Sequence, residues 1–482
     1  MWRLASRSAL LDIAILTLLD LALTLPFGAR MLWAWDSVLY ARAIDDFQLG
    51  ATPLEQRPHA PGYFLYVLAA RAATAILGDP NAGLVAISMV SGVLVVPVAY
   101  LAGRAIGGRV AGVAAAIVSM ANPVLWHASE IAYPYANLAF LAGALGVAFW
   151  YARGRGDRAI VAASALFGIA LGVRQDLIAY LAPLWLYTLV ARGWRGIALG
   201  TLSLASTSLL WLVPTAIAAG GLDRYIALVV SQAAGSSELS GGLLTKLGRN
   251  LSLSALGLRW QLLWLWPIAA AGAWLLYRRD ARAAAFVALW MLPAAIVLLF
   301  FHTGEAAYTL VLAVPLAVIV GNAFSRVVAL PKRTVAIAGS VAMAALVVML
   351  GATFALGAGR FSASAIRRHD EILQTQIAVI RARFNPATAV ILARANYLHA
   401  VAYLPEFRAV YVPSRDEGGH ARQILPALRG RTVAVFFDDS HPMLRRLATL
   451  VRLRGDVDLY VLRLDARSLA AFEAADDDLE ED

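Results

Sequence analysis

The chain has 482 residues, 60% of them hydrophobic and only 15% charged, with a net charge of +10 and a mean hydropathy of +0.69. A soluble globule of this size needs far more charge to cover its surface, so the composition excludes one and requires burial in lipid. No cysteine occurs, which excludes disulfides, thiolate catalysis and cysteine-ligated zinc.

The ionisable residues fall in short bursts about one bilayer crossing apart. Apolar stretches of about 17 to 25 residues predict about eleven transmembrane helices. They cover 10–29, 84–103, 110–126, 131–151, 159–173, 177–191, 197–219, 261–277, 283–301, 307–325 and 335–356. No small-residue cleavage site follows the first, which reads as a retained span rather than a signal peptide. Arg104/Arg109, Arg153/Arg155/Arg158, Arg192/Arg195, Arg278/Arg279/Arg282 and Arg326/Lys332/Arg333 fall on one side with Arg3 and Arg7. That side is cytoplasmic, and the basic excess reports orientation rather than a nucleic-acid partner. An odd number of spans then puts the carboxyl end outside. A twelfth span over 61–77 would reverse every later loop, so this stretch is expected as a helix on the outer face, with Arg71 at the interface.

The outer loop 30–83 carries the densest chemistry. Asp36 follows the first span among Trp33, Trp35 and Tyr40, whose rings favour the membrane interface. A carboxylate at that depth can take a proton from an acceptor hydroxyl, and burial beside the rings would hold its pKa nearer neutrality. The plainer reading is a solvated loop acid in the company of Asp45 and Asp46. Arg57, Pro58, His59 and Pro61 then form a basic, proline-rich elbow ahead of the interfacial helix.

Later outer loops add charged groups near the hydrocarbon boundary. Glu130 would bind a divalent cation (Mg or Mn) with Asp36 or position an acceptor, unless it pairs with a nearby base. His127 fits a helix cap better than a metal ligand. Arg174 and Asp176 interrupt two apolar runs with almost no loop, either as an ion pair holding a hairpin or as a phosphate site. Segment 220–259 is too polar to span and reads as a lid. His302 and Glu305, beside Gly304, share one turn, with His302 a ligand for phosphate or donor sugar. Asp20 lies mid-span, where a charge costs about 2.5 to 3.5 kcal/mol on insertion scales. It must face the bundle, protonated and hydrogen-bonded or serving as the proton carrier of a transporter.

From Arg360 the composition becomes that of a soluble domain, assigned to 359–475 after a membrane module over 1–358. Strand-length runs at 389–392, 409–412, 432–437 and 459–464 alternate with helical stretches near 364–383, 397–403, 421–428 and 443–453, which predicts a small α/β domain. Phe436 to Ser440 ends a strand with two acids, and the acidic tail 476–482 is expected to be disordered. No phosphate-binding glycine loop occurs in this domain.

A short first span, an aromatic-acid-aromatic motif at Trp35, Asp36 and Tyr40, a long outer loop, and Pro58-His59-Ala60-Pro61 opening an amphipathic helix resemble the GT-C superfamily of integral membrane glycosyltransferases. The similarity is to the branch of protein O-mannosyltransferases and the lipid A aminoarabinose transferase, over about residues 10–325. In those proteins a second acid often follows the aspartate and the prolines are adjacent; here Ser37 and a two-residue spacing stand instead. The resemblance implies a polytopic α-helical GT-C fold with an extracytoplasmic α/β domain. It implies a polyprenyl-phosphate-linked sugar as donor and a glycan, lipid or protein acceptor at the outer face of the cell membrane. Asp36 would be the base of an inverting displacement, with Arg57, His59, Arg174, His302 and Glu305 around the donor phosphate or sugar and Glu130 as second acid. The rival readings are a proton-coupled transporter or flippase of a lipid-linked substrate, for which Asp20 speaks, and a non-catalytic scaffold.

Overall fold

The computed structural model describes residues 7–52, 54–237, 243–301, 304–412, 424–438, 448–453 and 457–470. The helices are α1 (Arg7–Thr24), α2 (Trp35–Asp45), α3 (Phe64–Leu77), α4 (Pro80–Gly107), α5 (Arg109–Met120), α6 (Pro123–Ser129), α7 (Tyr135–Arg153), α8 (Asp157–Leu171), α9 (Leu177–Val190) and α10 (Gly193–Ala218). They continue with α11 (Leu222–Ser237), α12 (Leu243–Leu262), α13 (Trp266–Arg279), α14 (Ala281–Phe300), α15 (Ala313–Val328), α16 (Arg333–Ala355), α17 (Ala363–Arg383), α18 (Tyr397–Tyr403) and α19 (Leu425–Leu428). The strands are β1 (Ala389–Ala393), β2 (Arg408–Tyr411), β3 (Val433–Phe436), β4 (Thr449–Arg452) and β5 (Asp458–Arg463). The chain forms two compact units. One holds the residues up to Ala29 and from Ala41 to Ile366; the other holds Arg30–Tyr40 and the residues from Arg367 onward.

The first unit is a multi-pass membrane bundle. Among the described residues seven helices are long and apolar enough to cross a bilayer, and eight if the bent pair α5 and α6 counts as one. Every predicted span is helical, but α8, α9 and α13 have only 14 or 15 residues, short of the roughly 20 that a straight crossing takes. The stretch expected as a single span over 110–126 is broken by 60°. Pro123 opens α6, and the Asn122 carbonyl oxygen accepts the Val124 and Leu125 N–H groups at 3.0 and 3.2 Å. A side-chain cap thus satisfies the donors the break exposes.

Small residues let the central helices approach closely. A Cβ on Gly103 of α4 would meet the Ala111 carbonyl oxygen at 2.7 Å, and one on Gly321 of α15 would meet the same oxygen at 2.5 Å. Buried amides tie the bundle laterally: Asn122 donates to Gln261 at 3.2 Å, and Gln261 donates to the Thr309 carbonyl and hydroxyl at 2.9 and 3.0 Å. Arg109 grips Asp12 of α1 through two nitrogens at 2.7 and 2.8 Å.

One expectation for this unit is corrected. Residues 220–259 are not a polar loop but mostly the helices α11 and α12. Glycine and serine dilute the average hydropathy there, yet Tyr225, Asn250 and Ser254 are buried, and Tyr225 packs with Leu49 and Ala60. Arg71 of α3 donates through its Nε to the Ile44 carbonyl in the last turn of α2 at 2.5 Å.

The second unit is built on a five-stranded sheet of order β2-β1-β3-β5-β4. β1 runs parallel to β2 and β3, and β5 runs antiparallel to β3 and β4. All five residues of β1 are buried, as expected for a central strand. Val390, Leu392, Leu428, Ala434, Phe436 and Leu462 form its core. The stretch predicted as helix over 443–453 instead contributes β4, where Thr449 and Val451 pair with Val461 and Leu459. A neighbouring strand to pair with outweighs the local pattern. The tail 476–482, Asp439 and Ser440 lie outside the described residues.

Candidate active site

Asp36 stands in the first turn of α2, where the unpaired amides of a helix start favour a negative charge. Ser37, in place of a second acid, is fully buried and its hydroxyl accepts the Ala34 N–H at 3.2 Å. That bond closes the helix entry as the second half of a capping box does. The segment before Asp36 is bound along its backbone. Asp370 accepts the Arg30 and Met31 N–H groups at 2.8 and 3.1 Å, and the Tyr403 hydroxyl accepts the Leu32 N–H at 2.9 Å. His399 lies with Nε2 2.9 Å from the Leu32 carbonyl oxygen. Since a carbonyl only accepts, Nε2 carries the proton. Burial pushes the His399 imidazole down to about pKa 4 against the pull of that bond, so the ring is neutral near pH 7.

Trp33 and Trp35, expected at the membrane interface, pack inside the second unit. Trp33 lies 4.5 Å from the His369 ring, and Trp35 lies 6.3 and 6.1 Å from Tyr397 and Tyr411. Asp438, at the end of β3, accepts the Arg394 and Asn396 N–H groups at 2.8 and 2.9 Å and so closes the loop after β1.

The first unit gathers a different set. Arg57 pairs with Asp46, and its backbone bridges Gln48 in antiparallel fashion. His59 Nδ1 lies 2.6 Å from the Ala60 carbonyl oxygen, and its ring stands edge-on to Tyr63 at 5.3 Å. The peptide bonds before Pro58 and Pro61 are cis, and Gly62 (φ +109°) and Tyr63 (φ +50°) take left-handed conformations. Only the first suits its residue freely. The Tyr225 hydroxyl donates to the Pro61 carbonyl at 3.1 Å and holds this elbow from α11.

Arg174 is 2% exposed and sits in the turn between α8 and α9. It donates to Asp176 through Nε at 3.0 Å and through Nη2, so the hairpin ion pair read from the sequence is present. Its guanidinium also lies over three tyrosine rings, Tyr63 at 5.7 Å, Tyr135 at 5.6 Å and Tyr308 at 5.4 Å. Through Tyr63 the structure brings His59 and Arg174 into one neighbourhood. Glu305 pairs with Arg360 at 3.1 Å on a half-exposed rim, and its carbonyl accepts the Tyr308 N–H at 3.2 Å. His302 lies outside the described residues. The three tyrosines are what residue patterns miss: Tyr63 follows the proline elbow by two residues, Tyr308 follows Glu305 by three, and Tyr135 stands in no motif.

Glu130 is the residue immediately after α6 and is fully buried. Its backbone carbonyl accepts the Ala29 N–H at 2.7 Å. No basic group pairs with its carboxyl among the described residues, and both of its carboxyl oxygens are buried. Asp20, also buried, is near enough to interact with it electrostatically. His127 packs edge-on against Phe361 at 5.6 Å. Among the described residues no three His, Asp or Glu side chains cluster as metal ligands.

No protein-family model and no curated protein sequence matches the chain. Its fold, however, is shared with solved membrane proteins over most of its length. ArnT from Cupriavidus metallidurans bound to undecaprenyl phosphate is 17% identical at a TM-score of 0.60, covering 96% of this chain and 99% of that one. AglB, the archaeal oligosaccharyltransferase of Archaeoglobus fulgidus, in complex with an inhibitory peptide and a dolichol-phosphate, is 13% identical at 0.57, covering 89% and 69%. The oligosaccharyltransferase from the same organism in complex with Zn and sulfate is 15% identical at 0.57, covering 88% and 67%. The fold is therefore of GT-C type.

Proposed function

We propose that the protein is a glycosyltransferase that moves a sugar from a polyprenyl-phosphate donor to an acceptor at the outer face of the membrane. The observation that carries this reading is the end-to-end correspondence with a fold solved in complex with undecaprenyl phosphate and, in a second protein, with dolichol-phosphate. In the proposed reaction Asp36 takes the proton of an acceptor hydroxyl while the oxygen of that hydroxyl bonds to the anomeric carbon. The bond from that carbon to the phosphate oxygen breaks, the configuration inverts, and polyprenyl phosphate leaves with the electron pair. The developing phosphate charge needs fixed cations. Arg174, the most deeply buried arginine beside the elbow, is our first choice, with Arg57, His59 and His302 as further donor ligands. Glu305 completes that rim through Arg360, and Glu130 would orient the acceptor. The proposed topology keeps eleven spans and an extracytoplasmic carboxyl-terminal domain.

The test is release of polyprenyl phosphate from short-chain donors carrying different hexoses and pentoses, by purified protein in detergent with a glycan, lipid or peptide acceptor. Acceptor-dependent release from one donor is expected. No release from any donor, with proton uptake into vesicles on addition of a lipid-linked substrate, would overturn the reading in favour of the transporter for which buried Asp20 speaks.

A further inference from the structure

The segment that bears the proposed base, Arg30–Tyr40, belongs to the carboxyl-terminal unit. Ala29, the last residue before the boundary between units, is tied to its own unit: its N–H goes to Glu130 and its carbonyl accepts from Asn81 at 2.9 Å. The next three residues belong to the other unit, where Asp370, Tyr403 and His399 take up the Arg30, Met31 and Leu32 amides and the Leu32 carbonyl. Trp33 then lies on His369, the Ala34 N–H is taken by Ser37, and Asp36 follows within the same turn. A connecting segment that served only as a tether would leave these amides to water. Here a run of backbone groups just upstream of Asp36 is satisfied by three side chains from α17 and α18, two of them, Asp370 and His399, themselves buried.

We propose that Asp370, His399 and Tyr403 are positioning residues for Asp36: they fix the backbone of residues 30–32 and so aim the helix turn that carries the base. The carboxyl-terminal unit is then part of the catalytic apparatus rather than an appendage, acting through the segment it holds. Asp370 is central because its two oxygens serve two consecutive amides, an arrangement that no neutral side chain reproduces with both partners intact. This inference rests on the reading of Asp36 as the base.

The experiment compares Asp370→Ala, His399→Leu, His399→Gln and Tyr403→Phe in the full-length protein, alone and combined with Asp36→Asn. Amide exchange over residues 28–37 is measured beside transfer kinetics. Loss of the clamp in Asp370→Ala should speed exchange at Arg30 and Met31. It should also lower kcat about ten- to a hundredfold with the donor KM unchanged, the size expected for a misplaced reacting group. His399→Gln, which can still offer an N–H to Leu32, should recover most of what His399→Leu loses. In the Asp36→Asn background none of these changes should lower the residual rate further, because all act through one group. If Asp36→Asn is inactive but Asp370→Ala and His399→Leu keep the parent kcat, the positioning role is wrong and the base stands. If Asp36→Asn transfers at the parent rate, the base reading is what fails. Should Asp370→Ala not fold, Tyr403→Phe decides by the same two measurements, and unchanged exchange at Leu32 with unchanged kcat overturns the proposal.

Discussion

The guanidinium of Arg174 lies 5.4 Å from the centre of the Tyr308 ring, while the same nitrogens hold Asp176 across the α8–α9 turn. One buried cation therefore joins a hairpin, a turn ahead of α15 and, through Tyr63, the elbow after Arg57.

This arrangement predicts that lysine does not substitute for Arg174. A lysine keeps the charge but loses the planar fork that grips a carboxylate and the face that lies on tyrosines. Arg174→Lys should weaken donor binding by about 1.5 to 3 kcal/mol, the worth of a charge-assisted bond. Arg174→Gln, which leaves Asp176 without its cation, should in addition lower stability by about 3 kcal/mol. Donor titration and thermal unfolding in detergent measure the two, and parent-like values for Arg174→Lys would remove the residue from donor recognition.

Asp36→Asn keeps the side-chain volume but cannot take a proton. Turnover should fall by about two to four orders of magnitude, while donor binding persists because the amide removes a charge that repels phosphate. Asp20→Asn should be mild, a neutral amide being readily held in a helix bundle. The opposite ranking, with Asp20→Asn inactive and Asp36→Asn near parent, is what proton-coupled transport requires.

Stability should depend on pH through His399. Its folded pKa of about 4 lies below the ordinary 6.5, so between those values the unfolded chain binds more protons than the folded one. Stability is therefore full above pH 6.5 and falls as the pH drops toward 4, by up to about 3 kcal/mol. Unfolding temperatures at pH 7.5 and 4.5 should differ in the parent protein and converge in His399→Gln. An unchanged difference in that variant would assign the acid sensitivity to other groups.

The absence of cysteine makes topology easy to probe. Arg467→Cys, in the exposed chain after β5, should react with an impermeant maleimide in intact cells, whereas Arg279→Cys at the end of α13 should react only after permeabilisation. The reverse pattern would mean an even number of crossings or an inverted bundle.

The sequence is legible where one physical pressure acts alone. Apolar stretches of bilayer length mark the long helices of the bundle, and short β-branched runs mark β1, β2, β3 and β5. It fails where two pressures compete or where partners are remote. Asn122 and Pro123 interrupt a stretch whose hydropathy reads as continuous, and β4 depends on β5 for its pairing. In the candidate site the charged residues announce themselves, since charge near lipid is rare. Tyr63, Tyr135 and Tyr308 do not, because tyrosine at an interface is ordinary. Nothing near Arg30 hints that its amide belongs to Asp370, 340 residues away.

That separation also orders events during synthesis. Residue 367 follows residue 40 by 327 residues (367 − 40), roughly 15 to 65 s at about 5 to 20 residues per second. Until then the segment bearing Asp36 has no unit to join, although most of the membrane bundle has been synthesised. A chain released early thus carries Asp36 but lacks the groups that fix residues 30–32, so on the proposed reading of Asp36 as the base, ribosomal stalling would leave an inert membrane protein.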